Sequence, residues 1–272
     1  MGEEMSETSV EPTARSAGAS GDQRRPRTLA FLRSPRWVIG HVVALVAVIA
    51  FANLGVWQLR RLDERQAYNA LLTERLSAQP VPLEELDATL AQGEQAVAYR
   101  RVTVSGAYDV GHEVLLSTRS RDGVPGHHVL TPLVAASGGT VVVDRGWIPL
   151  DWGGQPPVAQ APPPEGAVTV EGVLFPPRQA RRSGTLDGDP EPLEFMSDVD
   201  LGRYAAVTDG AMYPLYVLAQ EQRPGQPGGF PAFGDLPALE EGNHASYAGQ
   251  WFIFATVVAV GYPVLLWRTW RP

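Results

Sequence analysis

The 272 residues contain no cysteine and no lysine. Without cysteine there can be no disulfide, thiolate zinc site, iron–sulfur ligation, covalent CxxCH haem attachment or thiol-based copper delivery. Without lysine, arginine supplies all 22 basic charges, against 30 acidic residues, for a formal net charge of -8. A hydrolase elbow, a phosphate loop and a dinucleotide fingerprint are also missing. Ser117, His127 and Asp144 make a triad only on paper, since nothing in their spacing fixes a geometry. His127 and His128 are neighbours and point to opposite faces if they lie in a strand, so they do not form a paired metal site.

What the chain does have is hydrophobicity concentrated near both ends, hidden by a mean hydropathy of -0.10. WVIGHVVALVAVIAFANLGVW, from Trp37 to Trp57, and YAGQWFIFATVVAVGYPVLLW, from Tyr247 to Trp267, carry no formal charge with His41 neutral. A membrane-spanning helix needs about 20 apolar residues to cross roughly 30 Å of hydrocarbon. Both runs are long enough, and Trp or Tyr brackets each at the level of the headgroups. A cleaved signal peptide is the competing reading of the first run, with Ala50, Phe51 and Ala52 as a poor cleavage site. The second run would still hold the protein in a membrane.

Arg24, Arg25, Arg27, Arg33 and Arg36 precede the first run, and Arg268 and Arg271 follow the second. Glu240 and Glu241 stand on the other flank of the second run. The positive-inside rule then expects both termini in the cytoplasm, although Arg60, Arg61 and Arg65 blur the signal. Residues 60–243 hold 14 Arg and 25 Asp plus Glu, a net of -11 (14 minus 25). An acidic domain of this kind argues against a nucleic-acid partner. The expected organisation is a disordered cytoplasmic tail (1–34), a membrane helix (35–57), an extracytoplasmic domain (58–243), a second membrane helix (244–267) and a cytoplasmic end (268–272). The acids in the tail speak against a mitochondrial transit peptide and for a bacterial plasma membrane.

Between the spans, QLRRLDERQAYNALLTERL places leucines among charges at helical spacing, so the first helix should continue past the bilayer as an amphipathic helix. Gln79 to Pro82 ends it, and PLEEL can open a further helical turn. RRVTVSGAYDV, HEVLLSTR, HHVLTPLVA, TVVVDRGWI, AVTVEGVLF and MYPLYVLAQ are short β-branched runs separated by turn residues. They predict a mainly antiparallel β domain, an open sheet or a barrel, within an α+β protein. GGQPPVAQAPPPEG and QRPGQPGGFPAFGD read as Pro/Gly-rich surface loops.

His244 lies just before the second span, where Asn243 can cap the helix. Trp57 and Gln58 emerge at the same outer level. His41 sits near the opposite face, about 20 Å or more away in depth at 1.5 Å rise per residue. Trp57, Gln58, Arg60, Arg61, His244, Tyr247, Gln250 and Trp251 would therefore share one rim. Imidazole can ligate haem iron, aromatic faces can cover a macrocycle and arginines can pair with its propionates. The same residues also fit an ordinary aromatic belt with anchoring arginines.

GVWQLRRLDER, YRRVTVSGAYD, GHHVLTPLV, VVVDRGWIP and NHASYAGQWFIFA, in this order between two spans, resemble the surfeit locus protein 1 family over roughly residues 37–270. The resemblance implies a membrane-anchored, non-enzymatic chaperone of cytochrome c oxidase assembly, the biogenesis of respiratory complex IV. The implied partners are oxidase subunit I and its assembly intermediates, besides membrane lipid. It also implies transient binding of haem a, with His244 matching the histidine that ligates the iron in bacterial members. A scaffold that stabilises the intermediate without haem is the alternative. His41 matches no motif of the family.

Overall fold

The computed structural model describes residues 32–177 and 193–271. Most of the expected disordered tail, with Arg24, Arg25 and Arg27, lies outside the described residues. The chain divides into two compact units, Met1–Leu59 with Ala245–Pro272, and Arg60–His244.

Helix α1 runs unbroken over Pro35–Ser77. Pro35 stands at its first position, where a missing N–H costs nothing, and the Ser34 carbonyl accepts from Trp37 and Val38. The expected continuation past the apolar run is therefore present as one helix. Strand β1 (Val81–Pro82) follows, then a 3-10 turn at Leu83–Leu86 within the PLEEL stretch, and short helices α2 (Asp87–Leu90) and α3 (Glu94–Val97). The remaining strands are β2 (Arg101–Tyr108), β3 (Val114–Arg121), β4 (Val124–Ala135), β5 (Thr140–Pro149), β6 (Ala167–Phe175), β7 (Phe195–Met196) and β8 (Met212–Arg223). Helix α4 (Leu201–Val207) is capped by the Asp200 carboxylate, which accepts from the N–H groups of Gly202 and Arg203. Helix α5 spans His244–Trp270.

Among the described residues, the eight strands form one sheet in the order β1-β2-β6-β8-β5-β4-β3-β7. An additional β2–β4 pairing, Gly106 opposite Ala135 through Tyr108 opposite Leu133, joins strands within this order and closes a five-stranded ring. The ring is β2, β6, β8, β5 and β4. Most pairings are antiparallel, but β1–β2, β3–β7 and β5–β8 are parallel, so the sheet is mixed. Alternate residues of the five ring strands, including Val104, Leu133, Val143, Val170 and Val217, form one buried cluster. The period of two thus sends one face of every ring strand into a common core.

The stretch expected as a surface loop after β5 departs from that reading. Val158 and Ala161 are buried at 2% and 0% exposure, packed with Leu115, Val129 and Ile148. Their backbone groups serve a buried ion pair, Glu113 with Arg145 at 3.0 Å. The Val158 N–H donates to the Glu113 carboxylate, and Arg145 donates to the Ala161 carbonyl. Arg145 is the extra residue where the β4–β5 register slips between Val129 and Leu130. Such a bulge re-aims a side chain, here toward Glu113.

In the helical unit, α1 and α5 pack together, with His41 against Tyr262, Phe51 against Trp251, and Gly55 against Phe252. The partner number falls from Tyr262 opposite His41 to Phe252 opposite Gly55, so the two helices are antiparallel. Both are long and apolar enough to cross a membrane.

Candidate functional site

Residues 61, 64, 65 and 68 are spaced i, i+3, i+4 and i+7, which puts them on one face of a helix. In the outer stretch of α1 that face carries Arg61, Glu64, Arg65 and Tyr68. Together with His244 they line a hollow of about 240 Å³. Arg61 and Glu64 form an exposed ion pair at 2.6 Å. Arg65 donates from Nε to the Glu240 carbonyl at 2.8 Å, and its guanidinium carbon lies 5.5 Å from the centre of the Tyr68 ring. Gln66 donates to the Glu241 carboxylate at 3.2 Å. These bonds tie the segment leading into His244 to α1.

Tyr68 meets Tyr99 edge to face at 5.8 Å and 89°. Burial, reinforced by the hydrogen bond to Tyr99, pushes the Tyr68 phenol up to about 12. Tyr99 has φ of +63°, uncommon for a residue other than glycine. Its N–H donates to the Leu174 carbonyl at 2.6 Å. Nearby, Arg75 donates to the carbonyls of Gln95 and Ala98, and Leu72 is fully buried, so the end of α1 is fixed to the barrel.

Among the residues expected at the rim, the hollow brings Arg61 and His244 together. Arg60 is exposed and is not among its lining residues. Trp57, Gln58, Tyr247, Gln250 and Trp251 belong to the helical unit. There Trp251 stacks on Phe51 at 5.7 Å and 24°, and Trp57 and Tyr247 are 52% and 50% exposed. Glu64, Arg65 and Tyr68 were missed as site residues, although their helical spacing from Arg61 was available.

The hollow offers one imidazole, two guanidinium groups, an aromatic ring and the Glu64 carboxylate; with Glu64 held by Arg61, Arg65 is the cation that could meet the anionic edge of a flat macrocycle. Pockets that enclose ligands measure about 300–1,000 Å³. The hollow is smaller, so it fits an edge of such a group and not the whole of it. His41 is occupied elsewhere, with Tyr262 Oη at 2.7 Å from Nδ1 and the Leu32 carbonyl at 3.3 Å from Nε2.

The barrel histidines separate as well. His128 Nδ1 lies 2.8 Å from the Asp144 carboxylate, which also accepts from the Gly146 N–H. His127 packs against Phe195 and the Gly153 backbone instead. The paper triad is thereby overturned, because Asp144 bonds His128 and not His127.

Two long apolar helices, one before and one after a barrel-bearing domain in the sequence, with a histidine opening the second, define a class of chain with two candidate membrane helices. The SURF1 family profile matches residues 45–256, and the chain belongs to that family. A SURF1-like protein of Mycobacterium tuberculosis is 30% identical over 238 residues, 86% of this chain and 84% of that protein. Surfeit locus protein 1 of Arabidopsis thaliana is 32% identical over 110 residues, 37% of this chain and 31% of its own. The cytochrome oxidase assembly protein SHY1 of Saccharomyces cerevisiae is 29% identical over 129 residues, 47% of this chain and 31% of its own.

Proposed function

We propose that the protein is a membrane-anchored assembly factor for a haem-a cytochrome c oxidase, holding haem a briefly and assisting its insertion into subunit I. The anchor is the α1–α5 pair in a bacterial plasma membrane. Both termini face the cytoplasm and the barrel domain lies outside, following the arginine distribution. The observation that carries the reading is His244, at the start of the second apolar helix, lining one hollow with Arg61 and Arg65.

When bound, haem a would supply an iron that an imidazole can ligate. His244 would hold that iron through its imidazole. Arg61 and Arg65 face the acidic edge, and Arg60 stands beside them on α1. Trp57, Gln58, Tyr247, Gln250 and Trp251 offer aromatic and amide groups within the helical unit, apart from the hollow. No bond is made or broken in the cargo, so the role is that of a carrier and not of an enzyme.

The test is the haem-to-protein ratio after co-expression with haem-a synthesis. Wild type should carry haem, and His244→Ala should lose most of it while keeping its circular dichroism. If wild type carries none, or His244→Ala retains the wild-type amount, the carrier reading fails. The small volume of the hollow favours a second reading in that event, a scaffold that stabilises an oxidase intermediate without haem. Under either reading, deleting the gene should lower haem-a oxidase activity while other terminal oxidases persist.

A further inference from the structure

Residues 60–243 are acidic overall, yet three of their 14 arginines, Arg60, Arg61 and Arg65, fall within six positions. Asp63 and Glu64 stand among them, so the stretch keeps one net positive charge within a domain that is acidic overall. The three are not equivalent. Arg61 is engaged by Glu64 at 2.6 Å, and Arg60 does not line the hollow.

Arg65 is held by two contacts that leave its fork available. Nε donates to the Glu240 carbonyl, and one face of the guanidinium lies against Tyr68. These use a single N–H and a π-face, so both terminal amino groups can serve a guest in the hollow that Arg65 lines. Tyr68 is itself fixed by the ring of Tyr99. A guanidinium restrained before binding loses less side-chain freedom when it pairs. Its planar fork also matches the two oxygens of a carboxylate.

We infer that Arg65 is the anion-binding residue of the His244 hollow, and that it takes a carboxylate at the edge of the macrocycle, a haem propionate. This rests on the carrier reading above. It assigns to Arg65 the task that the sequence pattern offered to Arg60 and Arg61.

The experiment uses the full chain in detergent micelles, titrated with ferric protoporphyrin IX and separately with its dimethyl ester, followed in the Soret region. Wild type should bind the free acid about tenfold more tightly than the ester, as a charge-assisted pair would give. Arg65→Gln should bind both forms with the wild-type affinity for the ester, which also shows that the variant is folded. Arg65→Lys should keep part of the preference, and Arg223→Gln, at the exposed end of β8 and not lining the hollow, should keep it in full. Equal binding of acid and ester by wild type would overturn the inference and leave the carrier reading standing. So would an Arg65→Gln variant that weakens on both forms alike, or a preference abolished by phosphatidylglycerol in the micelles, which would assign Arg65 to a lipid phosphate. Binding of neither form by wild type would overturn both.

Discussion

The helix pair and the barrel are built inside out relative to each other. In the helix pair the large aliphatic side chains face outward, with Ile39 64%, Val43 60%, Ile253 62% and Val257 62% exposed. The residues buried there are small, Gly55, Ala248 and Ala255. A methyl group at Gly55 would lie 2.7 Å from the Phe252 ring. In the barrel, Val102, Leu133, Val143 and Val170 are buried; the alternate positions of β2 and β6 are exposed or half-buried, while β5 is buried on both faces. Small residues at a helix contact let backbones approach when the surroundings are as apolar as leucine. Large residues in a core follow when the surroundings are water. One chain thus contains the packing rules of two solvents.

The sharpest way to break this comparison lies in the barrel. Burial shifts Glu113 up and Arg145 down, each toward its neutral form, although they are paired. Removing one partner leaves the other as an uncompensated buried charge. Glu113→Ala should therefore cost about 3–5 kcal/mol, read from denaturant unfolding of the full chain in micelles. Glu113→Met with Arg145→Leu should recover most of that loss. A double variant as unstable as the single one would show that the pair itself stabilises the fold.

A matched pair of truncations compares the two solvents directly. Ile148 is fully buried in the barrel, and Ile148→Ala should cost about 2–5 kcal/mol. Ile253 is 62% exposed in the helix pair, and Ile253→Ala should cost less than about 0.5 kcal/mol. Equal losses would mean that the outer face of α5 is covered by protein and not by lipid.

A smaller effect concerns pH. Burial holds His127 below its ordinary range, against a backbone hydrogen bond at Leu116, and its Nδ1 is buried without a hydrogen-bond partner. The unfolded chain takes up this proton at higher pH than the folded one does. The contribution of neutral His127 is thus complete above about pH 6.5 and declines as pH falls below it. Wild type should lose stability over that window relative to His127→Phe. Parallel profiles for the two proteins would remove His127 as the source.

The smallest expected effect is in the helical unit. His41→Leu deletes the bond to Tyr262, and such interhelical bonds average about 0.6 kcal/mol. Under the carrier reading, haem occupancy should not change. A loss of haem comparable with that of His244→Ala would place a second ligand at the opposite end of the helix pair.

The main strands were legible because their β-branched runs end at Gly, Pro and Asp, and the outer half of α1 was legible from its leucine spacing. Strands β1 and β7 were not, since two residues make no pattern. The parallel β5–β8 pairing, Val142 opposite Tyr216 and Val143 opposite Val217, depends on partners far apart in the chain. Val158 and Ala161 lay in a stretch whose prolines signalled a surface loop, and what buries them is the backbone demand of Glu113 and Arg145. At the site, His244 and Arg61 could be picked by residue type. Arg65 and Tyr68 required placing residues 61–68 on one helix face, and the tie to Glu240 joins residues 175 positions apart.

Closing the ring through β2 and β4 also decides how copies of the chain behave toward one another. Between copies of any chain, an unpaired strand edge invites association. Here the outermost strands β1 and β7 are two residues long, and the part of β3 beyond β7 carries Arg119 and Arg121. Short, charged edges give another copy little backbone to pair with. The domain can therefore be crowded beside its own kind and stay available to a different partner.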